Sequence, residues 1–232
     1  MPTQSDTQTV GVLLSGGLDS GILLAHLLDA GRIVRPFYIR SHLVWEPHEL
    51  AAVQQFLRAL TCDHLQALVT LELPLVDLYE EHWSVTGRNT PDAASPDEAV
   101  FLPGRNALLI VKAAVWCQLN SIEELALASL GTNPFPDATS AFFENFEAAL
   151  NQGVARPLRI IRPFGHMSKC EVMHLGRRYP LEYTFSCISP HDGLHCGECN
   201  KCAERRTAFR AAAMRDPTRY SASTEARESP RS

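Results

Sequence analysis

Leu13-Leu14-Ser15-Gly16-Gly17-Leu18-Asp19-Ser20 follows the apolar run Val10 to Leu14 and precedes Ile22-Leu23-Leu24-Ala25-His26-Leu27-Leu28. Apolar residues recur at helical spacing in that last segment, so the whole reads as a strand, a tight glycine turn and a helix. Two adjacent glycines let the backbone turn sharply and bring its N–H groups close to an anion. The new helix aims unpaired N–H groups and its positive dipole end at the same point. Ser15 and Ser20 add hydroxyl donors. An ordinary strand-to-helix turn with Asp19 as N-cap would use the same residue types.

No Gly-Lys-Ser/Thr follows, so the loop is not a Walker A sequence, and it lacks the dinucleotide-binding spacing. Its Ser-Gly-Gly-x-Asp-Ser pattern resembles the PP-loop of the ATP pyrophosphatases, which cleave ATP between the α and β phosphates and adenylate a substrate oxygen. The resemblance implies that Ser15, Gly16, Gly17, Asp19 and Ser20 hold the departing pyrophosphate, with Leu14 and Leu18 completing the nucleotide-binding stretch.

The remaining chain alternates strands with helices. Gly31 ends the first helix, and Ile33 to Ile39 reads as a second strand. Glu49 to Leu60 is a helix with Leu50, Val53, Phe56, Leu57 and Leu60 on one face. Leu68 to Leu73 is a third strand. The segment from Asp77 to Glu98 is rich in Pro, Asp and Ser and reads as a long loop at the ligand face. Its Trp83 and Thr90-Pro91-Asp92 form either a lid or a solvated excursion with one anchored tryptophan. Ala107 to Leu119 is an apolar helix, and Leu125 to Leu130 a fourth strand. Phe142, Phe143, Phe146 and Leu150 share one face of another helix, Arg159 to Arg162 is a short strand, and Ser168 to Glu171 has capping-box spacing before a helix to about Arg178. The expected fold is therefore α/β, a doubly wound, mainly parallel sheet with a small C-terminal zinc-binding segment.

A length of 232 residues, 45% of them hydrophobic, suits one sizeable domain with a small appendage. No apolar run is long enough to span a bilayer, and Met1 to Thr9 lacks the character of a signal peptide. The expected location is the cytoplasm. A net charge of −5 argues against stable nucleic-acid binding built on charge excess and favours a small-molecule substrate.

In such a compartment four crowded cysteines suggest a metal rather than disulfides. Cys187, Cys196, Cys199 and Cys202 supply four thiolates in a short span, with Gly193, Gly197 and Asn200 allowing the turns that bring them together. Zinc prefers that donor set, and four protein ligands leave no open position, so the zinc is expected to be structural. An iron–sulfur cluster accepts the same donors, and His191 or His195 could stand in for a cysteine. The ion would fasten a helix from about Ala203 to Arg210 to the main domain. Cys62, Cys117 and Cys170 read as small core residues.

Three further islands bear on the family: Phe101-Leu102-Pro103-Gly104-Arg105-Asn106, Arg162-Pro163-Phe164 with Ser168-Lys169, and Thr184-Phe185-Ser186-Cys187 leading into the cysteines. Together with the PP-loop, over about Val10 to Ala211, they resemble the 7-cyano-7-deazaguanine synthase (QueC-like) family of the queuosine pathway. The resemblance implies an adenine nucleotide alpha hydrolase-like, Rossmann-like fold. It also implies an ATP-dependent carbon–nitrogen ligase that turns 7-carboxy-7-deazaguanine and ammonia into the nitrile through adenylated intermediates. ATP is then a substrate with magnesium as counter-ion, Asp19 a magnesium ligand directly or through water, and Arg105 and Lys169 the groups that stabilise charge on the breaking triphosphate. Homologous synthases suggest a homodimer. The chain departs from the family where Asn133-Pro134-Phe135-Pro136-Asp137-Ala138-Thr139 replaces a Tyr-Pro-Asp-Cys-Arg-like run, and where Tyr38-Ile39-Arg40-Ser41-His42 replaces Tyr-Gly-Gln-Arg-His. Those changes leave ATP handling intact and open the acceptor to a different carboxylate. A tRNA thiolation enzyme and a nucleotide-binding regulator without turnover are the competing readings.

The expected organisation is a flexible N-terminus over 1–8, an ATP-binding α/β domain over 9–182, a four-cysteine zinc-binding segment over 183–212, and a disordered tail over 213–232.

Overall fold

A computed structural model of the chain describes residues 8–60, 62–154 and 156–221. Five strands form one parallel sheet: β1 (Thr9–Leu13), β2 (Ile33–Arg40), β3 (Val69–Glu72), β4 (Glu124–Ala126) and β5 (Arg159–Ile161), in the order β3-β2-β1-β4-β5. β1 lies at the centre, with Thr9 opposite Ile33 of β2 and Val10 opposite Glu124 of β4. The chain runs outward through β2 and β3, then returns to the other side of β1 for β4 and β5, so strand order reverses between β1 and β4. Ligands of open α/β sheets bind in the crevice beyond the carboxyl ends of the strands at such a reversal.

The helices are α1 (Leu18–Asp29), α2 (Glu46–Ala59), α3 (Val76–Tyr79), α4 (Trp83–Thr86), α5 (Arg105–Leu119), α6 (Ser140–Val154), α7 (Lys169–Leu175) and α8 (Asn200–Ala211). Alternating side chains send the two faces of the sheet into separate cores. Val10, Val12, Val34 and Tyr38 pack with Ile22 and Leu23 of α1, Phe56 of α2, Met173 of α7 and Phe209 of α8. Phe37, Ile39, Leu125 and Leu127 pack on the other face with Ile110, Ala114 and Cys117 of α5 and Phe143 of α6. The doubly wound sheet follows directly: both faces are covered, and the strands are apolar on both sides. Gly11 permits the close approach of α5, because a Cβ there would lie 2.9 Å from both Cys117 Sγ and Phe37 Cε2.

Several boundaries differ from the sequence expectation. α2 starts at Glu46, whose carboxylate accepts from the His42 N–H at 2.6 Å and from Arg40 Nε at 2.9 Å. The apolar run expected as a strand to Leu130 leaves the sheet after Ala126, where pairing with β5 stops at Ile161. The expected loop from Asp77 to Glu98 contains part of α3, all of α4 and a 3-10 turn at its end. One-turn helices are too short to show a period, which is why the sequence pattern hid them. The capping box is present as expected: Ser168 N–H donates to Glu171 Oε2 at 2.7 Å and Glu171 N–H to Ser168 Oγ at 3.3 Å.

Two expectations need correction or trimming. Cys62 is exposed in the α2–β3 connection rather than in the core, while Cys117 is buried and Cys170 partly buried. Part of the expected disordered tail is placed against the cysteine segment: Ser221 N–H donates to the His195 carbonyl at 2.8 Å, and Tyr220 Oη to Asp216 at 2.7 Å. Residues 222–232, and 1–7 of the expected flexible N-terminus, lie outside the described residues. No helix among the described residues is long and apolar enough to cross a membrane.

Candidate functional site

The turn after β1 sits where the strand order reverses. Gly16 has φ +78°, a left-handed conformation that costs other residues energy, and a Cβ there would lie 2.9 Å from Glu49 Cγ. Gly17, not Asp19, is the N-cap of α1, and it offers no side-chain cap to the first N–H groups. The first N–H groups of a helix have no partner within it. Ser20 Oγ accepts from the Ser15 N–H at 3.2 Å, lies 3.2 Å from Ser15 Oγ, and donates to the Gly17 carbonyl at 3.3 Å, which closes the loop on itself. The Phe185 N–H donates to the Gly16 carbonyl at 2.7 Å and ties the cysteine segment to the turn.

Asp19 therefore points elsewhere. Lys169, the first residue of α7, donates to Asp19 Oδ2 at 2.7 Å and to Glu204 Oε1 of α8 at 3.4 Å, while Lys201 donates to Glu204 Oε2 at 2.7 Å. Burial opposes the charge on Lys169, and the carboxylates of Asp19 and Glu204 outweigh it, holding the ammonium above the ordinary lysine range. Burial likewise pushes the Glu204 carboxyl up, and the two lysines more than offset it, holding it at about 2. The result is a row of alternating charge, Asp19, Lys169, Glu204 and Lys201. Asp19 Oδ1 is buried with no hydrogen-bond partner. A bare carboxylate oxygen of this kind suits a hard cation such as magnesium.

A cavity of about 320 Å³ opens in front of the turn, lined by Ser15, Asp19, Arg105, Ser129, Lys169 and Phe185 among others. Arg105 begins α5 after Gly104, and its Nε is buried without a partner. The next residue, Asn106, locks the altered loop in place: its Nδ2 donates to the Asp137 carbonyl at 3.0 Å and to Asp137 Oδ1 at 3.2 Å, and its N–H to Asp137 Oδ2 at 3.2 Å. The Pro-Gly-Arg-Asn island and the Asn133 to Thr139 loop thus act as one unit. Three of the expected charged groups, Asp19, Arg105 and Lys169, line one cavity.

Sequence reasoning missed two residues there. Glu49 of α2 accepts from Tyr38 Oη at 2.7 Å; burial raises its carboxyl to about 7, opposed by the Arg105 charge and by the Tyr38 hydrogen bond. Arg205, only 1% exposed, donates to Thr184 Oγ1, Ser186 Oγ, Thr218 Oγ1 and the Leu181 carbonyl. The available signals were an acid one turn into α2 and an arginine inside the last helix. Neither marks a site without the fold.

The four cysteines converge. All four are buried and their sulfurs lie within 4.8 Å of one another, with Cys187 and Cys199, and Cys196 and Cys202, 3.9 Å apart. A disulfide needs about 2.05 Å. Four sulfurs at about 2.3 Å from one ion stand about 3.8 Å apart, so the cluster has the dimensions of a tetrahedral metal site. N–H groups of Ser189 and Cys196 point at Cys187 Sγ, and those of Glu198 and Cys199 at Cys196 Sγ, which favours thiolate. Among the described residues the converging set is the four cysteines without His191 or His195, and His195 Nε2 accepts from the Ser186 N–H at 3.1 Å.

The Thr90-Pro91-Asp92 tract docks on this cluster. Asp92 bridges to Cys199, the Asn200 N–H donates to the Pro91 carbonyl at 3.0 Å and the Ala93 N–H to the Glu198 carbonyl at 2.8 Å. Trp83 is anchored on Trp45, with ring centres 5.7 Å apart.

A family model described as Queuosine biosynthesis protein QueC matches residues 9–213. A 7-cyano-7-deazaguanine synthase of Thiobacillus denitrificans is 31% identical over 226 residues, covering 90% of this chain and 96% of that protein. A protein of the same name from Methanococcus maripaludis is 26% identical over 235 residues, covering 90% and 97%. A solved 4-thiouridine synthetase–RNA complex with bound ATP aligns at a TM-score of 0.48 and 16% identity, over 89% of this chain and 50% of that one. That likeness is too distant to bear on activity.

Proposed function

Because this chain belongs to the QueC family of queuosine biosynthesis proteins, we propose that it is an ATP-dependent ligase that converts 7-carboxy-7-deazaguanine and ammonia to 7-cyano-7-deazaguanine. The observation that carries the reading is the cavity at the strand-order reversal, where the glycine turn, Arg105 and Lys169 face one space.

A carboxylate is a poor electrophile until one of its oxygens can leave. The loop N–H groups from Gly16 to Ser20 take the β and γ phosphates at the start of α1. Arg105 and Lys169 face the charge that grows on the pyrophosphate as a carboxylate oxygen of the acid attacks the α phosphate. The P–O bond to pyrophosphate breaks and an acyl adenylate forms. Ammonia adds to the acyl carbon, AMP leaves with the former carboxylate oxygen, and an amide remains. The amide oxygen is activated in the same way and lost with AMP to give the nitrile. Magnesium, held through Asp19 Oδ1, would supply charge neutralisation on the phosphates. The four cysteines would hold zinc, closed to water and structural. No covalent protein nucleophile enters the scheme. The proposal includes a cytoplasmic homodimer without stable nucleic-acid binding.

Pure protein incubated with the acid, ammonium and MgATP is expected to yield nitrile and AMP. AMP formation unchanged by omitting the acid would refute the reading.

A further inference from the structure

A second cavity, of about 530 Å³, lies on the other side of the charged row. Of the residues from Ser15 to Ser20 only Asp19 reaches it; its walls come from the Leu130 to Phe135 stretch, from Ala93, Ser95 and Asp97, and from one side of α8 from Asn200 to Ala211. Asp19, Asn133, Lys169, Lys201 and Glu204 line both cavities, so the row is the seam between two lobes. The lobes differ in charge. To the shared Lys169 and Lys201 the first adds the turn N–H groups, Arg105 and Arg205, and it suits a triphosphate; in the second the cations among the lining residues are Lys169 and Lys201 alone, beside the acids Asp19, Asp97 and Glu204.

Resting on the ligase reading above, we propose that the second lobe receives the acceptor acid, and that Lys201 binds its carboxylate at the seam. Lys201 stands between Cys199 and Cys202, in the first turn of α8, so the cysteine cluster fixes its backbone. Its neighbour Asn200 donates through Nδ2 to the Ser95 carbonyl at 2.9 Å, which holds the opposite wall at a set distance. Lys201 makes its ion pair with Glu204, and Glu204 also pairs with Lys169. An arriving carboxylate can take Lys201 while Glu204 keeps Lys169, so the exchange strands no charge. Lys169 remains at Asp19 for the phosphates. A singly charged acid is thereby set beside the α phosphate without entering the triphosphate lobe, and ammonia has the same lobe as its approach.

The test is calorimetric binding of 7-carboxy-7-deazaguanine to the metal-loaded protein with a non-hydrolysable ATP analogue present, comparing wild type with Lys201→Met and Lys201→Arg. Lys201→Met should weaken acid binding at least tenfold and raise KM for the acid to match. Affinity for the ATP analogue should fall by a clearly smaller factor than affinity for the acid, with metal content unchanged and the melting temperature only slightly lowered by loss of the Glu204 ion pair, and Lys201→Arg should restore most of the loss. Acid affinity unchanged in Lys201→Met, or a loss confined to the ATP analogue, overturns the proposal. A wild-type protein that neither binds nor converts the acid would instead sink the ligase reading, so the two failures are distinguishable.

Discussion

Replacing Lys169 by methionine keeps most of the unbranched side chain and removes its charge. In the native protein the ammonium lies 2.7 Å from Asp19 and 3.4 Å from Glu204, and the Lys169 and Asp19 side chains are 25% and 26% exposed. Breaking a fully buried ion pair by removing one partner costs about 3–5 kcal/mol. A pair open to water over a quarter of its surface is screened, which brings the expected loss to about 2 kcal/mol. Asp19 Oδ1 has no partner already, so the substitution leaves both oxygens of that carboxylate unpaired. The catalytic effect should be larger, because removing one preorganised group aimed at developing charge slows the chemical step by about 10²–10³-fold. Single-turnover pyrophosphate release with saturating acid and ATP reads the step directly; urea unfolding and metal analysis report stability and the cysteine site. Slow release, a modest loss of stability and full metal content are expected. Normal release would remove Lys169 from the chemistry whatever the stability result.

Gly11→Ala should destabilise the protein by about 1–3 kcal/mol in chemical denaturation, because its methyl group would press on Phe37, Cys117 and Leu125 in a filled core; unchanged stability would contradict the close approach of α5. Glu49, whose carboxyl burial raises from 4.5 to about 7, contributes stability that is present at low pH and lost as pH climbs through that range. Glu49→Gln should abolish that decline, gaining about 2–3 kcal/mol on wild type between pH 4.5 and pH 8, and parallel pH–stability curves would contradict the assignment. Cys199→Ala should lose the metal and speed amide hydrogen exchange across residues 91–97, since that segment hangs on Cys199, Glu198 and Asn200; full metal content with unchanged exchange would refute the docking.

The features legible in the sequence were local. The turn after β1 declares itself because strand, glycines and helix are contiguous, and the Ser168–Glu171 cap because its partners are three residues apart. Cysteine spacing announced the four-cysteine cluster for the same reason. What stayed hidden depends on long-range pairing: Asn106 with Asp137, Lys169 with Asp19 150 residues away, and Arg205 with Thr184. Glu49 became visible only once Gly16 and Tyr38 were placed against it. The choice between a lid and a solvated excursion for residues 90–92 was undecidable from composition, because what fixes the tract is backbone pairing to the cysteine segment. Cys62 shows the converse error: residue type suggested burial, and its place in a connection left it exposed.

The central claim is that a carboxylate oxygen of the acceptor attacks ATP at the cavity beside Ser15 to Ser20. It is tested most directly with 7-carboxy-7-deazaguanine carrying ¹⁸O in both carboxylate positions, incubated with ammonium and MgATP and followed by mass spectrometry of the nucleotide. AMP bearing one ¹⁸O per molecule, formed together with the nitrile, is the predicted result; unlabelled AMP would contradict the account.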